Sequence, residues 1–191
     1  PEVGQMVSTN GTDYWAGGPA GLMTINTVNP AAMSARSAPI APLPIRPSKV
    51  RQNGNVTIEL DYALNALRFY DYTLPESFQL RGSFQLPVSG EQMEVAYLSG
   101  GAIQLLCVAD AFVVGQIAII DITNPAAPVT RSIISGVGTN LLSASGSRLY
   151  VHTNRNELKI YELAVPTAPQ LRSTTPFGGR VDQFTCMTSW S

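Results

Sequence analysis

Four segments of the chain repeat one pattern, in which an alternating apolar stretch runs into a proline. The segments are "GLMTINTVNPAAM", "ALRFYDYTLPESF", "QIAIIDITNPAAP" and "ELKIYELAVPTAP". Their prolines, Pro30, Pro75, Pro125 and Pro166, lie 45, 50 and 41 residues apart. A repeat of about 40 to 50 residues restricts the fold more than any other feature of the chain, because such periods are typical of solenoids, propellers and other arrays.

Two positions of the repeat keep their chemical character in all four copies. Eight residues before the proline stands an aliphatic residue: Leu22, Leu67, Ile117 and Leu158. Four residues before the proline stands a polar residue: Asn26, Asp71, Asp121 and Glu162. A polar side chain at this place is predicted to accept hydrogen bonds from backbone N–H groups of the following turn. Proline has no N–H and fixes φ at about −65°, so each copy is predicted to form a stiff corner after its third strand.

The last copy shows the strands of one unit most clearly. The stretches "NLLSAS", "RLYVHT", "ELKIYEL" and "QLRSTTP" each have the pattern of a strand and are separated by turn residues or by the corner. Four-stranded units of this length predict an all-β fold, a β-propeller of four-stranded antiparallel blades. A β-sandwich would not need the regular prolines, and a parallel β-helix has shorter rungs. The expected blades of this single propeller segment cover approximately residues 4–40, 41–88, 89–136 and 137–177.

The stretch "DYALNALRFYDY" is the one place where composition suggests a helix. Its Ala and Leu residues have high helix propensity. Its register against the other three copies nevertheless predicts a hairpin, because the third strand of the second blade must begin within it.

The residues after the fourth copy resemble the start of the chain. Residues 180–190, "RVDQFTCMTSW", alternate like "VGQMVST" near the beginning and predict the first strand of another blade. An open ring exposes unpaired backbone groups at its edges. We therefore expect four blades plus the first strand of another, which form part of a larger ring completed by missing blades or by other protein chains.

The charge of the chain excludes some classes of partner. The net charge is −1, and 13% of the residues are charged, against about 25% in a typical domain. A basic field of the kind that attracts nucleic acid or anionic lipid is not present. No apolar run approaches the roughly 18 residues that a membrane span requires. We expect no nucleic-acid partner and no membrane span.

The chain is poor in residues that carry catalysis. His152 is its single histidine, and Cys107 and Cys186 are its two cysteines. A Ser-His-Asp triad needs a histidine beside a nucleophile and an acid, and a zinc site needs more ligands than these residues supply. We expect His152 to be structural or solvent-exposed and both cysteines to be buried thiols.

Two pairs of carboxylates could in principle serve a glycosidase. Glu59 and Asp61 could share one side of a strand, whereas Glu91 and Glu94 fall in a loop and the strand after it. Neither spacing fixes the carboxylate separation that glycoside hydrolysis needs, and we expect both pairs on the solvated surface. The sequence thus predicts no catalytic residue, no cofactor and no metal, in a protein that is not an enzyme.

Aromatic side chains give a modest signal for binding. In propellers they mostly pack between blades, and only an exposed subset with arginines nearby would suit a contact with a protein or a glycan. The candidate contact residues are Trp15, Arg68, Arg148 and Arg155.

The third and fourth repeats resemble the units of LVIVD-repeat proteins, which are bacterial and archaeal surface propellers. The residues that carry the resemblance are "CVAD", "GQIAIIDITNPAAPV" and "LYVHT" with "ELKIYELAVPTAP". The resemblance implies a propeller that is extracellular, on the cell surface or periplasmic, and it indicates fold far more than activity.

These observations favour a non-catalytic structural or protein-interaction module in an extracellular or surface assembly. Two alternatives stay open. One is a carbohydrate-binding adhesin with a glycan as partner, and the other is part of an enzyme whose catalytic residues lie outside this chain.

Overall fold

The computed structural model describes residues 5–8, 13–18, 21–35, 49–61, 63–71, 73, 79–110 and 115–177, with side chains from residue 25 onward except those of Pro30 and Ser99. The chain divides into two compact units, Pro1–Leu86 and Pro87–Ser191. Each unit contains two four-stranded sheets.

The first unit contains blade one and blade two. The strands of blade one are β1 (Gln5–Ser8), β2 (Asp13–Gly18), β3 (Gly21–Asn26) and β4 (Ser34–Ala35). The strands of blade two are β5 (Lys49–Asn53), β6 (Val56–Asp61), β7 (Ala66–Asp71) and β8 (Gln79–Gln85). Strand β5 contacts β1 and β2.

The second unit contains blade three and blade four. The strands of blade three are β9 (Gln92–Leu98), β10 (Ile103–Ala109), β11 (Gln116–Asp121) and β12 (Val129–Ser135). The strands of blade four are β13 (Thr139–Ser145), β14 (Arg148–Thr153), β15 (Glu157–Glu162) and β16 (Gln170–Pro176). Each blade pairs its strands antiparallel and in sequence order.

This arrangement confirms the predicted all-β fold of four-stranded antiparallel blades. The described residues contain no α-helix, only short 3₁₀ turns at Pro30–Ala32 and Ser99–Gly101. The hairpin prediction for blade two is also confirmed, since β6 ends at Asp61 and β7 begins at Ala66. The predicted strand at 180–190 and the proline of the second repeat lie outside the described residues.

The polar residue of the repeat supports the corner in every blade, as predicted. The side-chain oxygen Oδ1 accepts a backbone N–H two residues further on at Asn26 (2.9 Å), Asp71 (2.8 Å) and Asp121 (3.0 Å). Glu162 accepts the N–H of Ala164. The side-chain acceptor offers these N–H groups a partner at the point where the sheet ladder ends.

The fourth strands of blades two, three and four carry a bulge at equivalent places. At each bulge, the pairing between the third and fourth strands skips one residue of the fourth strand. The successive pairs on either side of the shift are Phe69–Gly82 and Tyr70–Leu80 in blade two, Ile119–Ser132 and Ile120–Thr130 in blade three, and Ile160–Ser173 and Tyr161–Leu171 in blade four. The residue passed over is an arginine each time: Arg81, Arg131 and Arg172. A bulge leaves one residue unpaired and turns its side chain to a new direction.

The core of the second unit lies between the facing surfaces of blades three and four. Blade three contributes Leu105, Cys107, Ile117 and Ile119, and blade four contributes Leu142, Leu149, Val151 and Tyr161. The first strands β9 and β13 contact each other. A hydrogen bond of 2.7 Å from Ser132 Oγ to the carbonyl oxygen of Pro166 joins β12 to the corner of blade four.

Candidate functional site

The four predicted contact residues are divided between the two units, with Trp15 and Arg68 in the first and Arg148 and Arg155 in the second. Trp15 lies in β2 opposite Val7 and Thr24, in the part of the chain whose side chains the structure does not describe. Arg148 is the first residue of β14, and Arg155 lies just beyond the other end of that strand, which is about 20 Å long. The Arg148 side chain is 62% exposed, and Arg155 is exposed in the turn after the strand.

The fourth contact residue, Arg68, belongs to a polar cluster of blade two, which we define as Glu59, Asp61, Arg68 and Tyr70. Glu59 lies directly opposite Arg68 in the β6–β7 ladder. Because side chains two residues apart along a strand point to the same side, this register gathers all four side chains on one face of the blade.

Buried ion pairs hold this cluster together. Arg68 Nη2 lies 2.7 Å from Asp61 Oδ2, and Arg68 Nη1 lies 3.9 Å from Glu59 Oε2. The Tyr70 hydroxyl donates to Glu59 Oε2 at 3.0 Å. The side chains of Glu59 and Asp61 are 0% and 2% exposed, whereas that of Arg68 is 23% exposed. Removing one member of a buried pair leaves an uncompensated charge, so the members depend on one another.

The expectation that Glu59 and Asp61 lie on the solvated surface is therefore wrong. Thr57, Glu59 and Asp61 alternate along β6 with Ile58 and Leu60, and all five residues are buried. A strand that is covered on both faces buries its polar row together with its apolar row. Glu91 and Glu94 are half-buried, the first before β9 and the second within it.

The pKa values of this cluster point to a supporting role. Burial, and then the charge of Glu59, raises the pKa of Tyr70 to about 12. Burial lowers the pKa of Arg68, but the hydrogen bond with Tyr70 and the charges of Asp61 and Glu59 outweigh it and raise the pKa overall. At neutral pH the tyrosine thus stays a hydrogen-bond donor and the arginine stays a cation, and neither is suited to accept a proton.

A second arrangement, which sequence reasoning missed, is an ion pair between two repeated positions. In blades two and three, the acid before the corner, which we call the corner acid, pairs with the arginine at the bulge of the fourth strand. Arg131 donates to Asp121 Oδ2 through Nε at 3.2 Å and through Nη2 at 2.7 Å. Arg81 donates to Asp71 Oδ2 through Nε at 2.9 Å and also through Nη2. The sequence signal was an arginine ten residues after the polar residue in all four repeats, Arg36 included.

In blade four, two arginines act on the corner acid. Arg148 Nε lies 3.9 Å from Glu162 Oε2. The pKa of Glu162 is lowered, first by a hydrogen bond from Ser147 and also by the charges of Arg148 and Arg172. The predicted contact residue Arg148 therefore lies near Glu162, the polar residue that supports the corner of blade four.

His152 and Cys107 are both buried. His152 is 1% exposed, its ring lies edge-on to Phe177 at 5.8 Å, and burial lowers its pKa. Cys107 is a free thiol in the core of the second unit, and burial raises its pKa. His152 is therefore buried and not solvent-exposed, and the expectation of a buried thiol is confirmed for Cys107, whereas Cys186 lies outside the described residues.

A small cavity lies at the corner of blade four. A cavity of about 70 Å³ at the corner of blade four is lined by Glu162, Ala164, Val165, Ala168, Gln170 and Arg172. Sites for drug-sized ligands are several times larger. Among the described residues, no group of three or more His, Cys, Asp or Glu side chains could hold a metal ion, and no helix is long and apolar enough to cross a membrane.

Comparison with known proteins identifies the architecture. No family model matches the chain, and no curated protein sequence matches it either. A solved protein from Lactobacillus plantarum superimposes with a TM-score of 0.67 at 9% identity, over 95% of this chain and 57% of that one. The Cps50 (Swd1) β-propeller domain of Myceliophteria thermophila superimposes with a TM-score of 0.64 at 14% identity, over 92% of this chain and 60% of that one.

A third similar structure is the periplasmic gluconolactonase PpgL of Pseudomonas aeruginosa. It superimposes with a TM-score of 0.61 at 10% identity, over 93% of this chain and 55% of that one. The chain thus spans between 55% and 60% of the length of these three structures. At sequence identities this low, the structural similarity is evidence for the fold alone. The chain has the β-propeller fold, and its described residues form four blades.

Proposed function

We propose that the chain is a non-catalytic structural or protein-interaction module, one arc of a larger propeller in an extracellular or surface assembly. The observation that carries this proposal is that the ionisable groups with the strongest interactions join one part of a blade to another. Asp71 and Asp121 each join a corner to a fourth strand. The cluster around Glu59 and Arg68 joins two strands of blade two. Charges used in this way stabilise a scaffold.

The length of the chain supports the proposal that it is one arc of a larger propeller. Because it covers between 55% and 60% of the similar propellers, further blades or another protein chain complete the ring. The LVIVD-like repeats around "GQIAIIDITNPAAP" support a location outside the cytoplasm. The exposed arginines Arg148 and Arg155, together with Trp15, are the proposed contacts, whereas Arg68 mainly supports its own blade.

Native mass spectrometry of the protein purified from its source tests this role. We expect a mass well above 20.4 kDa, either as one longer polypeptide or as a complex with another protein. Peptide mapping of both termini distinguishes the two. A monomer of 20.4 kDa would contradict the proposal.

The catalytic alternative has one observation in its favour, since a gluconolactonase is among the similar structures. Hydrolysis of glucono-δ-lactone by the full-length protein tests it. We expect no turnover above the uncatalysed rate. Turnover that persists in both Glu59→Gln and Asp121→Asn would replace the scaffold proposal with an enzyme whose catalytic residues lie outside this chain.

The adhesin alternative is tested on a glycan array. We expect no signal above that of a control propeller. A signal that disappears in Trp15→Phe, with an unchanged melting temperature, would favour carbohydrate binding instead. Arg148→Ala is the matched control, since it removes an exposed contact candidate without changing an aromatic residue.

A further inference from the structure

Blade four has two faces with different surroundings. Leu142, Leu149 and Val151 face blade three and are buried in the core of the second unit. The strand register places Leu141, Tyr150, His152, Leu158 and Ile160 on the opposite side, which we call the second face. Its rows are Leu141–His152–Leu158 and Tyr150–Ile160, each formed by directly paired residues.

The aliphatic residues of the second face are much more exposed than their counterparts in other blades. Leu158 and Ile160 stand eight and six residues before the corner proline, and both are half-buried. At the same two positions, blade three has Ile117 and Ile119, both 0% exposed. Blade two has Leu67 and Phe69 there, also 0% exposed. The sequence keeps an apolar pair at a place that is completely covered in two other blades.

In blade three, the cover over this position is known. Ile117 and Ile119 belong to the core cluster to which blade four contributes Leu142 and Leu149. The next blade along the chain therefore covers this face, and it does so with residues of its first three strands. By the same rule, the second face of blade four has the shape and chemistry to receive a blade that follows it.

His152 lies on the same face, between Leu141 and Leu158. It is 1% exposed, and the ring of Phe177 lies edge-on to it at 5.8 Å. The second face is therefore already covered at His152, and its half-exposed apolar part is the one around Leu158 and Ile160.

We propose that the second face of blade four is an inter-blade docking surface, and that its occupant is a fifth four-stranded blade whose first strand is the one predicted for residues 180–190. This inference rests on the proposed role as an arc of a larger propeller and identifies the surface through which the arc continues. Phe177, whose ring lies edge-on to His152, precedes that segment by three residues in the sequence. The segment alternates apolar residues, as a first strand packed against β13 requires.

Thiol labelling of the full-length protein tests whether the surface is occupied. Leu158→Cys and the matched control Leu171→Cys are each treated with a maleimide, and labelling is measured for each site by peptide mass spectrometry. Leu171 is 50% exposed on the outermost strand, and the completely buried Cys107 serves as a protected reference. We expect Cys at position 158 to react at least tenfold more slowly than Cys at position 171. Rates within twofold of each other would overturn the proposal.

Photo-crosslinking identifies the occupant. Benzoylphenylalanine replaces Leu141 or, as a control, Leu171. We expect crosslinks from position 141 to residues 180–190 of the same polypeptide, and none of them from position 171. Crosslinks from position 141 to a second copy of the chain or to an unrelated protein would overturn the proposal. A large native mass with a reactive Cys at position 158 would defeat this inference alone and leave the proposed function standing.

Discussion

At the scale of single residues, one carboxylate in blade two and one in blade three each connect three parts of the chain. Asp121 ends the third strand of blade three, accepts the N–H of Thr123 in the corner and accepts two hydrogen bonds from Arg131 in the fourth strand. Its two functions use different oxygens, Oδ1 for the corner and Oδ2 for the arginine. Substitution can therefore separate them.

Asp121→Asn should be milder than Asp121→Ala. Asparagine keeps the acceptor for Thr123, as Asn26 does for its own corner, and loses mainly a partly exposed ion pair worth about 0.5–1 kcal/mol. Alanine also removes the corner hydrogen bond, and we expect a total loss of about 1–2 kcal/mol in the free energy of unfolding. Urea denaturation measures both values. Equal losses would show that the corner bond contributes nothing.

Asp71 should make stability depend on pH in acid. Hydrogen bonds from Thr73 and Arg81 lower its pKa from 3.8 to about 2. Because the folded state has the lower pKa, the stabilisation is complete above about pH 4 and disappears as the pH falls toward 2. Urea midpoints measured between pH 5 and pH 2 should fall less steeply in Asp71→Asn than in the parent protein. Parallel curves would contradict the assignment.

At the scale of elements, the connections between strands depend on close backbone contacts. Gly115, between β10 and β11, accepts the N–H of Val137 in the link between blades three and four. A Cβ atom at position 115 would lie 2.7 Å from the Val137 carbonyl oxygen and 2.9 Å from that of Asp110. Both neighbours are backbone atoms and cannot rotate away.

Gly115→Ala should therefore destabilise the second unit by about 1–3 kcal/mol, the usual cost of forcing extra atoms into a packed site. Gly54→Asn is the matched control. Gly54 has open space around its Cβ position and a φ of +55°, which asparagine tolerates better than other side chains. We expect the control to change the urea midpoint little. A neutral Gly115→Ala would mean that the link between the blades moves freely.

At the scale of the whole molecule, stability comes from sheet faces that cover one another. Leu149 is 0% exposed in the core between blades three and four, whereas Leu171 is 50% exposed on the last strand. Both are leucines in blade four, so comparing their alanine variants isolates the contribution of burial.

Leu149→Ala should cost about 2–5 kcal/mol, since it leaves a cavity in a packed core. Leu171→Ala should change the free energy of unfolding by less than about 0.5 kcal/mol. Thermal and urea denaturation of the two variants provide the measurement. A small loss for Leu149→Ala would show that the two blades do not unfold as one cooperative body.

Much of the fold was predictable because its signals are local. The proline positions, the alternation of "RLYVHT" and the polar residue before each corner depend on neighbours within a few residues. The same reasoning correctly placed the hairpin in "DYALNALRFYDY" against its helix propensity. The arginine ten residues after the polar residue of each repeat was also visible, but its role depends on a bulge that the alternation pattern does not show.

The sequence by itself determined the four repeated units, their strand order and the chemistry of their corners. Only the tertiary structure decided that Glu59 and Asp61 are buried and paired with Arg68, and that Leu158 and Ile160 are half-exposed where Ile117 and Ile119 are covered. The physical reason is that alternation assigns a side chain to one face of a strand. Whether another sheet covers that face depends on residues far away in the chain.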